Sequence, residues 1–289
     1  MSETQAPDEK CLESYVYSFR KDIIKDKVAL ITGGGSGICF TIAEIFMRHG
    51  CHTAIAGRNV DRLNKSARTL RETTGCRCLP IQMDVRKPQE VIAGVDTCLK
   101  EYGRIDILIN GAAGNFLCPL DKMSFNAFKT VLEIDTLGTF NVSKAVYDQY
   151  FKAHGGVIIN ITATLHYKGT ALQAHAGSAK AAIEALTKHQ ALEWGQQGIR
   201  ILCVAPGPID DTEGMRRLGG GIPKEILNSV IPIGRMGTRK EIGEICLFLV
   251  TDMAGLITSS TVIADGAAWL SDDNSHRRVE FFNKLMAKM

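Results

Sequence analysis

The chain has 289 residues, of which 45% are hydrophobic and 22% are charged, and its formal net charge is +3. This composition is ordinary for a globular protein and argues against global disorder. Lysine and arginine are scattered among acidic residues without a long basic run, so we expect no nucleic-acid partner. No apolar run approaches the roughly 20 residues of a membrane helix, and the polar, acidic N-terminus is unlike a signal peptide.

Seven short apolar runs alternate with segments of helical periodicity after the first 26 residues. The predicted strands are residues 28–31, 53–56, 79–82, 105–109, 157–161, 201–204 and 262–263. The fourth and fifth runs are continuously hydrophobic, as in parallel strands covered on both faces. The pattern predicts a Rossmann-like, doubly wound α/β fold with one seven-stranded parallel sheet and helices on both faces.

A single domain is expected over residues 27–270, because no linker or change in composition divides the chain. Residues 1–26 are then an N-terminal extension, and residues 271–289 a C-terminal tail. Residues 206–237 are the least regular part of the domain. A segment of this kind after a strand predicts a lid over the ligand crevice.

The nine cysteines are scattered, and the closest pair, Cys76 and Cys78, lacks the two-residue spacing of zinc and redox motifs. We therefore expect reduced thiols in a reducing, intracellular compartment and no metal site.

A glycine-rich segment lies between the first predicted strand and the helix that follows it: Thr32-Gly33-Gly34-Gly35-Ser36-Gly37-Ile38-Cys39. Glycines let the backbone approach a pyrophosphate, and the N–H groups of a first helical turn attract an anion. A tight turn would also explain the glycines, but the strand before them and the helix after them favour nucleotide binding. In glycine-rich loops that bind dinucleotides, the last glycine permits close packing of the helix, and Cys39 stands at that position here. We therefore expect a slight, tolerated outward shift of the helix.

The second predicted strand ends in Ala56-Gly57-Arg58-Asn59, without the acidic residue that holds ribose hydroxyls in NAD sites. An arginine at this place can pair with a 2′-phosphate, although a solvated surface arginine is the alternative. The sequence therefore predicts NADP(H) rather than NAD(H).

These motifs, in this order, resemble the short-chain dehydrogenase/reductase superfamily. The glycine pattern TGxxxGxG is followed by Asp84-Val85, by the loop from Asn110 to Gly114 and by Pro206-Gly207-Pro208-Ile209 with Thr212. The resemblance implies a set of cofactor-binding residues spread along the chain: Gly33, Gly34, Gly35, Ser36, Gly37, Ile38, Arg58, Asn59, Asp84, Val85, Asn110, Lys180, Pro206, Gly207, Ile209 and Thr212.

The usual catalytic positions of that superfamily are changed here. Lys180 is present, but Ala176 stands at the tyrosine position, Ala163 at the serine position and Asp135 at the asparagine position. Because Ala176 cannot protonate a carbonyl oxygen, alcohol dehydrogenase chemistry is disfavoured. Two hypotheses follow, a reductase that delivers hydride to a conjugated carbon and a catalytically silent NADP-binding protein.

Hydride addition to a carbon–carbon double bond conjugated with a thioester gives an enolate, and an ordered water can then protonate its carbon. Asp135 and Lys180 are the ionisable groups that remain at the catalytic positions, so we predict that they hold and tune this water. The alternative makes Asp135 a surface carboxylate and Lys180 only a ribose ligand. His175 is interpreted as structural.

The segments around Asn110, Ser124, Asp135, Asn160 and Lys180 resemble the peroxisomal 2,4-dienoyl-CoA reductase family, in which the tyrosine is also absent. The resemblance implies NADPH-dependent reduction of 2,4-dienoyl-CoA to 3-enoyl-CoA, an auxiliary step of polyunsaturated fatty acid β-oxidation. Reduction of 2-enoyl-CoA or 3-oxoacyl-CoA is the alternative. The implied contacts to the acyl-CoA thioester are Arg58, Arg86, Phe116, Ser124, Phe125, Asn126 and Arg217.

The chain ends in Ala287-Lys288-Met289, which resembles the SKL-type peroxisomal address read by an import receptor. The family resemblance also implies a homotetramer formed through two long helices, at about residues 125–151 and 174–194.

Overall fold

The computed structural model describes residues 9–218 and 224–271, except residues 14, 16 and 18. Its strands form one sheet in the order β3-β2-β1-β4-β5-β6-β7, with every neighbouring pair parallel. The prediction of a seven-stranded parallel sheet is confirmed. The strands are β1 (Val28–Thr32), β2 (His52–Gly57), β3 (Cys78–Gln82), β4 (Ile107–Asn110), β5 (Gly156–Ile161), β6 (Ile199–Pro206) and β7 (Thr261–Ala264).

Helices connect consecutive strands and cover both faces of the sheet. They are α1 (Gly37–Arg48), α2 (Val60–Thr74), α3 (Pro88–Tyr102), α4 (Phe125–Leu132), α5 (Gly138–Val146), α6 (Lys152–His154), α7 (Ala174–Trp194), α8 (Glu213–Leu218), α9 (Lys224–Ser229) and α10 (Arg239–Val250). Wide π-helical turns at Glu133–Leu137 and Tyr147–Phe151 join α4, α5 and α6 into one long helix. Short 3₁₀ turns lie at Leu120–Lys122, Thr164–His166, Gly195–Gln197 and Asp252–Ala254.

Local sequence signals set several helix ends. The Asn59 side chain accepts a hydrogen bond from the backbone of Arg62 and so caps α2, which ends at Gly75 with a φ of 74°. At α10, Thr238 and Glu241 form a reciprocal capping box. Such caps satisfy N–H groups that have no acceptor within the helix.

The core has two layers, one on each side of the sheet. Side chains of β1 alternate between them, Ala29 and Ile31 facing α1, α2 and α10, and Val28 and Leu30 facing α3 and α5. Burial on both faces explains why the strands are uninterrupted apolar runs rather than alternating ones. Ile24, in the N-terminal extension, is buried in the first layer.

The predicted lid at residues 206–237 contains the two short helices α8 and α9, with residues 219–223 outside the described part. An isolated bridge joins Ile209 to Gly237 across its base. Within the described ranges, no helix combines the length and the apolar character needed to cross a membrane.

Candidate active site

A cleft of about 890 Å³ opens where the strands end at the carboxyl edge of the sheet. Strand β1 pairs with β2 on one side and with β4 on the other, so the strand order runs outward from β1 in both directions. Doubly wound sheets bind ligands at such a switch point. The cleft is therefore the candidate site.

The glycine-rich segment forms one wall of the cleft, hereafter the glycine wall. Its lining residues include Gly33, Gly35, Ser36, Gly37 and Ile38. Gly33 has a φ of 71°, and a Cβ at this position would lie 2.8 Å from the carbonyl oxygen of Gly111. Only glycine fits such a close approach of two backbones. Gly33, Gly35 and Gly37 leave this wall with few side chains beside the start of α1, which suits a pyrophosphate.

Gly34 has a different place from its neighbours. It does not line the cleft, and a Cβ there would lie 2.7 Å from Cγ2 of Ile55 in β2. Its missing side chain therefore serves packing of the loop against the sheet.

Cys39 packs against Gly111, the residue that follows β4. A Cβ added to Gly111 would overlap the Cys39 sulfur, so the thiol fills the space that the absent Gly111 side chain leaves open. The Thr32 hydroxyl accepts hydrogen bonds from the backbone N–H groups of Gly111 and Ala112, at 3.0 and 3.1 Å. The expected outward shift of α1 is thus unnecessary, because the bulk at one position is matched by a glycine at the other.

Burial also makes the Cys39 thiol unreactive. Removal from water raises the pKa of Cys39 to about 12, against the opposing positive charge of Lys180. The thiol is therefore protonated near neutral pH and acts as an apolar packing group.

Positive side chains surround the end of β2. Arg58 and Arg62 line the cleft. The Asn59 side chain accepts a hydrogen bond from the Arg62 N–H and so fixes the first turn of α2. Arg62 reaches across to Glu213 in α8, with Nη1 and Oε2 3.5 Å apart. The two guanidinium groups suit a phosphate on the adenosine ribose.

Asp84 and Val85 line the cleft beyond β3. Hydrogen bonds from the Arg86 guanidinium, one of them 3.0 Å long from Nε to Oδ1, hold the pKa of Asp84 below its ordinary value. Asp84 is therefore an ionised carboxylate fixed in one orientation.

Asp135 and Lys180 meet inside the cleft as a nearly buried ion pair, with exposed fractions of 1% and 8%. The Lys180 Nζ lies 2.9 Å from Asp135 Oδ2 and donates to the Ile161 carbonyl at 3.2 Å. The other Asp135 oxygen accepts from the Gly114 N–H at 2.7 Å. Each charge is thus held by its partner and by one backbone group.

A π-helical turn delivers Asp135 to this position. The turn spans Glu133–Leu137 in the long helix that lies beside α7, and the Thr136 hydroxyl donates to the Ala179 carbonyl of α7 at 3.2 Å. Lys180 lies in the second turn of α7. Wide turns of this kind occur frequently at functional sites, because they shift the register of a helix face.

The remaining catalytic positions offer no acid. Ala176 and Ala163 both line the cleft. The Thr162 hydroxyl is engaged with the Val204 carbonyl at 3.3 Å and with Glu184 at 3.4 Å. The arrangement provides charge and hydrogen bonds around Lys180 but no phenol for protonating a carbonyl oxygen.

His175 lies behind this wall, with its ring 4.3 Å from the ring of Phe116 between centroids. It is fully buried, and burial lowers its pKa despite the opposing charge of Asp135. The imidazole is therefore neutral and packs as an aromatic group, in line with the structural interpretation.

The chain is similar to known reductases over most of its length. A family model described as "Enoyl-(Acyl carrier protein) reductase" matches residues 33–267. The peroxisomal 2,4-dienoyl-CoA reductase of Pongo abelii is 55% identical over 282 residues, covering 96% of each chain. The protein of the same name from Danio rerio is 54% identical, covering 94% of this chain and 91% of that one.

The chain belongs to the 2,4-dienoyl-CoA reductase family of short-chain dehydrogenases/reductases. Solved structures agree on the fold. A short chain dehydrogenase from Bacillus anthracis has a TM-score of 0.79 at 36% identity, covering 85% of this chain and 97% of that one. Actinorhodin polyketide ketoreductase, solved with NADPH, has a TM-score of 0.80 at 26% identity, covering 84% and 97%.

Within this dienoyl-CoA reductase family member, five predicted cofactor residues do not line the cleft: Gly34, Asn110, Pro206, Gly207 and Ile209. The Asn110 amide donates instead to Ser143 and Asn160, at 2.9 Å each, and so ties β4 to β5 and α5. Ile209 is buried. Their cofactor roles stay predictions.

Of the predicted acyl-CoA residues whose side chains are described, only Arg58 lines the cleft. The Ser124 hydroxyl caps α4 by accepting from the Ala127 N–H at 3.1 Å, while Phe125 is 97% exposed and Asn126 is also exposed. The side chain of Arg217 lies outside the described residues.

The sequence prediction missed two kinds of site residue. Gly114 and Ile161 act through backbone groups, which side-chain patterns do not reveal. Arg62 could have been found, because a residue three positions after the helix cap Asn59 lies on the first turn, close to Arg58. Among the described residues, no His, Cys, Asp and Glu side chains cluster as a metal site would require.

Proposed function

We propose that the protein is a peroxisomal, NADPH-dependent 2,4-dienoyl-CoA reductase that produces 3-enoyl-CoA during polyunsaturated fatty acid β-oxidation. The observation that carries this proposal is the buried Asp135–Lys180 pair in a cleft where Ala176 replaces the phenol. The relatives' names support the substrate class.

NADPH, when bound, supplies the hydride for the conjugated double bonds. The glycine wall accommodates its pyrophosphate, and Arg58 and Arg62 would bind its 2′-phosphate. We propose NADPH over NADH because β2 ends in arginine and carries no carboxylate there.

Asp135 and Lys180 would position the water that protonates the reduced substrate. Within the described residues, Lys180 Nζ donates one hydrogen bond, to the Ile161 carbonyl, and Asp135 Oδ2, 2.9 Å from Nζ, accepts none. Hydrogen-bonding capacity on both groups would therefore be open to a water or a ribose hydroxyl in the cleft. A water held beside Asp135 and Lys180 would donate its proton to C2 of the dienolate, which leaves the double bond between C3 and C4. Exclusion of bulk water from this pair strengthens both interactions.

The decisive experiment follows the NADPH absorbance band after addition of a 2,4-dienoyl-CoA, with 2-enoyl-CoA, 3-oxoacyl-CoA and NADH in parallel. Asp135→Asn and Lys180→Ala should lower kcat by about 10²–10⁴-fold, the range for lost proton-transfer catalysis. Asp148→Asn and Lys188→Ala, exposed positions on the same two helices, are the matched controls.

Three results would count against parts of the proposal. NADPH binding without turnover of any thioester indicates a silent cofactor-binding protein. Preferred turnover of 2-enoyl-CoA or 3-oxoacyl-CoA indicates the alternative reductase. The phosphate role of Arg58 is refuted if wild type binds NADH and NADPH with equal affinity. It is also refuted if Arg58→Ala binds NADPH as tightly as the exposed control Arg68→Ala does.

The acyl-CoA contacts and the assembly belong to the same proposal. Arg58, Arg86, Phe116, Ser124, Phe125, Asn126 and Arg217 would surround the acyl-CoA, with the arginines suited to its phosphates and Phe116 to its chain. A homotetramer would form through the long helices, where Leu137, Phe140 and Leu192 are exposed. Light scattering after size-exclusion chromatography tests the assembly, with a monomer as the contrary result.

Peroxisomal import would depend on Ala287-Lys288-Met289, which lies outside the described residues. A reporter carrying this C-terminus should concentrate in peroxisomes and become diffuse when Met289 is deleted. A reporter that is diffuse in both forms contradicts import by this tripeptide.

A further inference from the structure

Among the described residues of the N-terminal extension, Glu9 contacts the wall of the cofactor cleft. Glu9 precedes the family match, which begins at residue 33. Its Oε1 accepts a hydrogen bond from the Gly37 N–H at 3.0 Å. Gly37 opens α1 and lines the cleft, so a residue of the extension touches the glycine wall directly.

The second oxygen of Glu9 continues the connection. Oε2 pairs with Nη1 of Arg239, and Nη2 of Arg239 lies 2.9 Å from Oδ2 of Asp211. Asp211 adopts a left-handed backbone with a φ of 53°, and Thr212 beside it lines the cleft. Glu9 and Arg239 thus bridge the glycine wall to the segment that follows β6.

The bridge is shielded from water, with 11% of the Glu9 side chain and 15% of the Arg239 side chain exposed. An ion pair at this depth is less screened than a surface pair, and removal of one partner strands the other charge. Gly37 would also lose its acceptor, because the first N–H groups of a helix have no partner within it.

The extension is fixed at a second point. The Leu12 N–H donates to both oxygens of the fully buried Glu44, at 3.0 and 3.1 Å, and Glu44 pairs with Arg48 at 2.8 Å. Both anchors lie on α1. Glu9 itself is not part of the cleft wall, so it holds Gly37 from outside the cleft.

We propose that Glu9 is a positioning residue for the dinucleotide: with Arg239 it ties the glycine wall to the post-β6 segment, and its loss weakens cofactor binding without removing any group that contacts the cofactor. This inference rests on the proposed NADPH function. A purely structural role for Glu9 would instead lower stability and leave the cofactor affinity of the folded protein unchanged.

The test is NADPH titration of the full chain by fluorescence, well below the melting temperature of every variant. Glu9→Ala should raise the Kd by about tenfold, a change that corresponds to about 1.4 kcal/mol. The Kd of Glu9→Gln should lie between those of wild type and Glu9→Ala. Its amide oxygen can still accept a hydrogen bond from the Gly37 N–H, whereas the ion pair with Arg239 is lost. Glu13→Ala, an exposed residue of the same extension, is the control and should match wild type.

Two further measurements separate positioning from stability. The KM for NADPH should rise with the Kd while kcat at saturating NADPH stays within about twofold, since a positioning residue affects binding rather than the chemical step. The Kd of Glu9→Ala/Arg239→Gln should not exceed that of the weaker single variant, because both changes break one bridge.

The contrary results are distinct. If wild type binds NADPH and Glu9→Ala binds it as tightly as Glu13→Ala does, the positioning role is refuted while the proposed function stands. Additive effects of the Glu9 and Arg239 changes also refute it. If wild type itself binds no NADPH, the proposed function and this inference fail together.

Discussion

Cys39 and Gly111 should behave as a coupled pair when both are changed. In Gly111→Ala, the new Cβ overlaps the Cys39 sulfur and also approaches the Thr32 carbonyl oxygen to 3.1 Å. Both neighbours belong to the cofactor loop region, where the backbone has little room to move. Overpacking of this kind costs about 1–3 kcal/mol, and the severity of the overlap places this variant near the upper end.

Removal of the sulfur should relieve most of that cost. Cys39→Ala alone leaves a cavity of about one sulfur atom, which costs about 1 kcal/mol. In Cys39→Ala/Gly111→Ala, the two Cβ atoms would be 3.6 Å apart, an ordinary van der Waals distance. The double variant should therefore be more stable than Gly111→Ala, with a coupling free energy of about 2 kcal/mol.

The assay is urea unfolding of the four proteins at one protein concentration, which keeps any contribution of assembly constant. NADPH titration of the same samples reports on the loop, and Gly111→Ala should bind more weakly than the double variant. Free energies of unfolding that add to within about 0.5 kcal/mol would refute the compensation.

Three other predictions concern the packing of Gly34, the carboxylate that caps α10 and the thiol of Cys39. Gly34→Ala should destabilise the cofactor-free chain by about 1–3 kcal/mol, since its Cβ would lie 2.7 Å from a β2 isoleucine, whereas Gly35→Ala meets only a flexible leucine at 3.3 Å; equal melting temperatures would contradict this. Hydrogen bonding to Arg235 lowers the pKa of Glu241 to about 2, so its stabilisation is complete above about pH 4.5 and is lost as pH falls toward 2; unfolding curves of wild type should converge on those of Glu241→Gln at low pH. Cys39, with a pKa of about 12, should resist alkylation in the native chain at pH 8 and react after unfolding, as peptide mass spectrometry would show.

Much of the fold could be predicted because the signals are local. Burial on both faces makes each parallel strand a short apolar run, and the long helices appear in the sequence with their observed extents to within a few residues. The glycine loop is likewise local, since a tight approach of backbone to phosphate needs consecutive small residues.

The pairing of Asp135 with Lys180 was predictable only from the family pattern. These residues are far apart in sequence, and no periodicity indicates that a π-helical turn brings one beneath the other. The loop motif includes Gly114, but side-chain patterns gave no sign that its N–H and the Ile161 carbonyl hold the pair.

The cofactor loop separates local sequence signals from the effects of tertiary packing. The sequence showed that Cys39 stands at a glycine position and that the N-terminus is polar, and it predicted a slight, tolerated outward shift of α1 and an N-terminal extension before the domain. Only the tertiary structure shows that Gly111 leaves room for the thiol and that Glu9 accepts a hydrogen bond from the first residue of α1. Both outcomes depend on the space and charge contributed by residues distant in sequence, and packing alone brings those residues together.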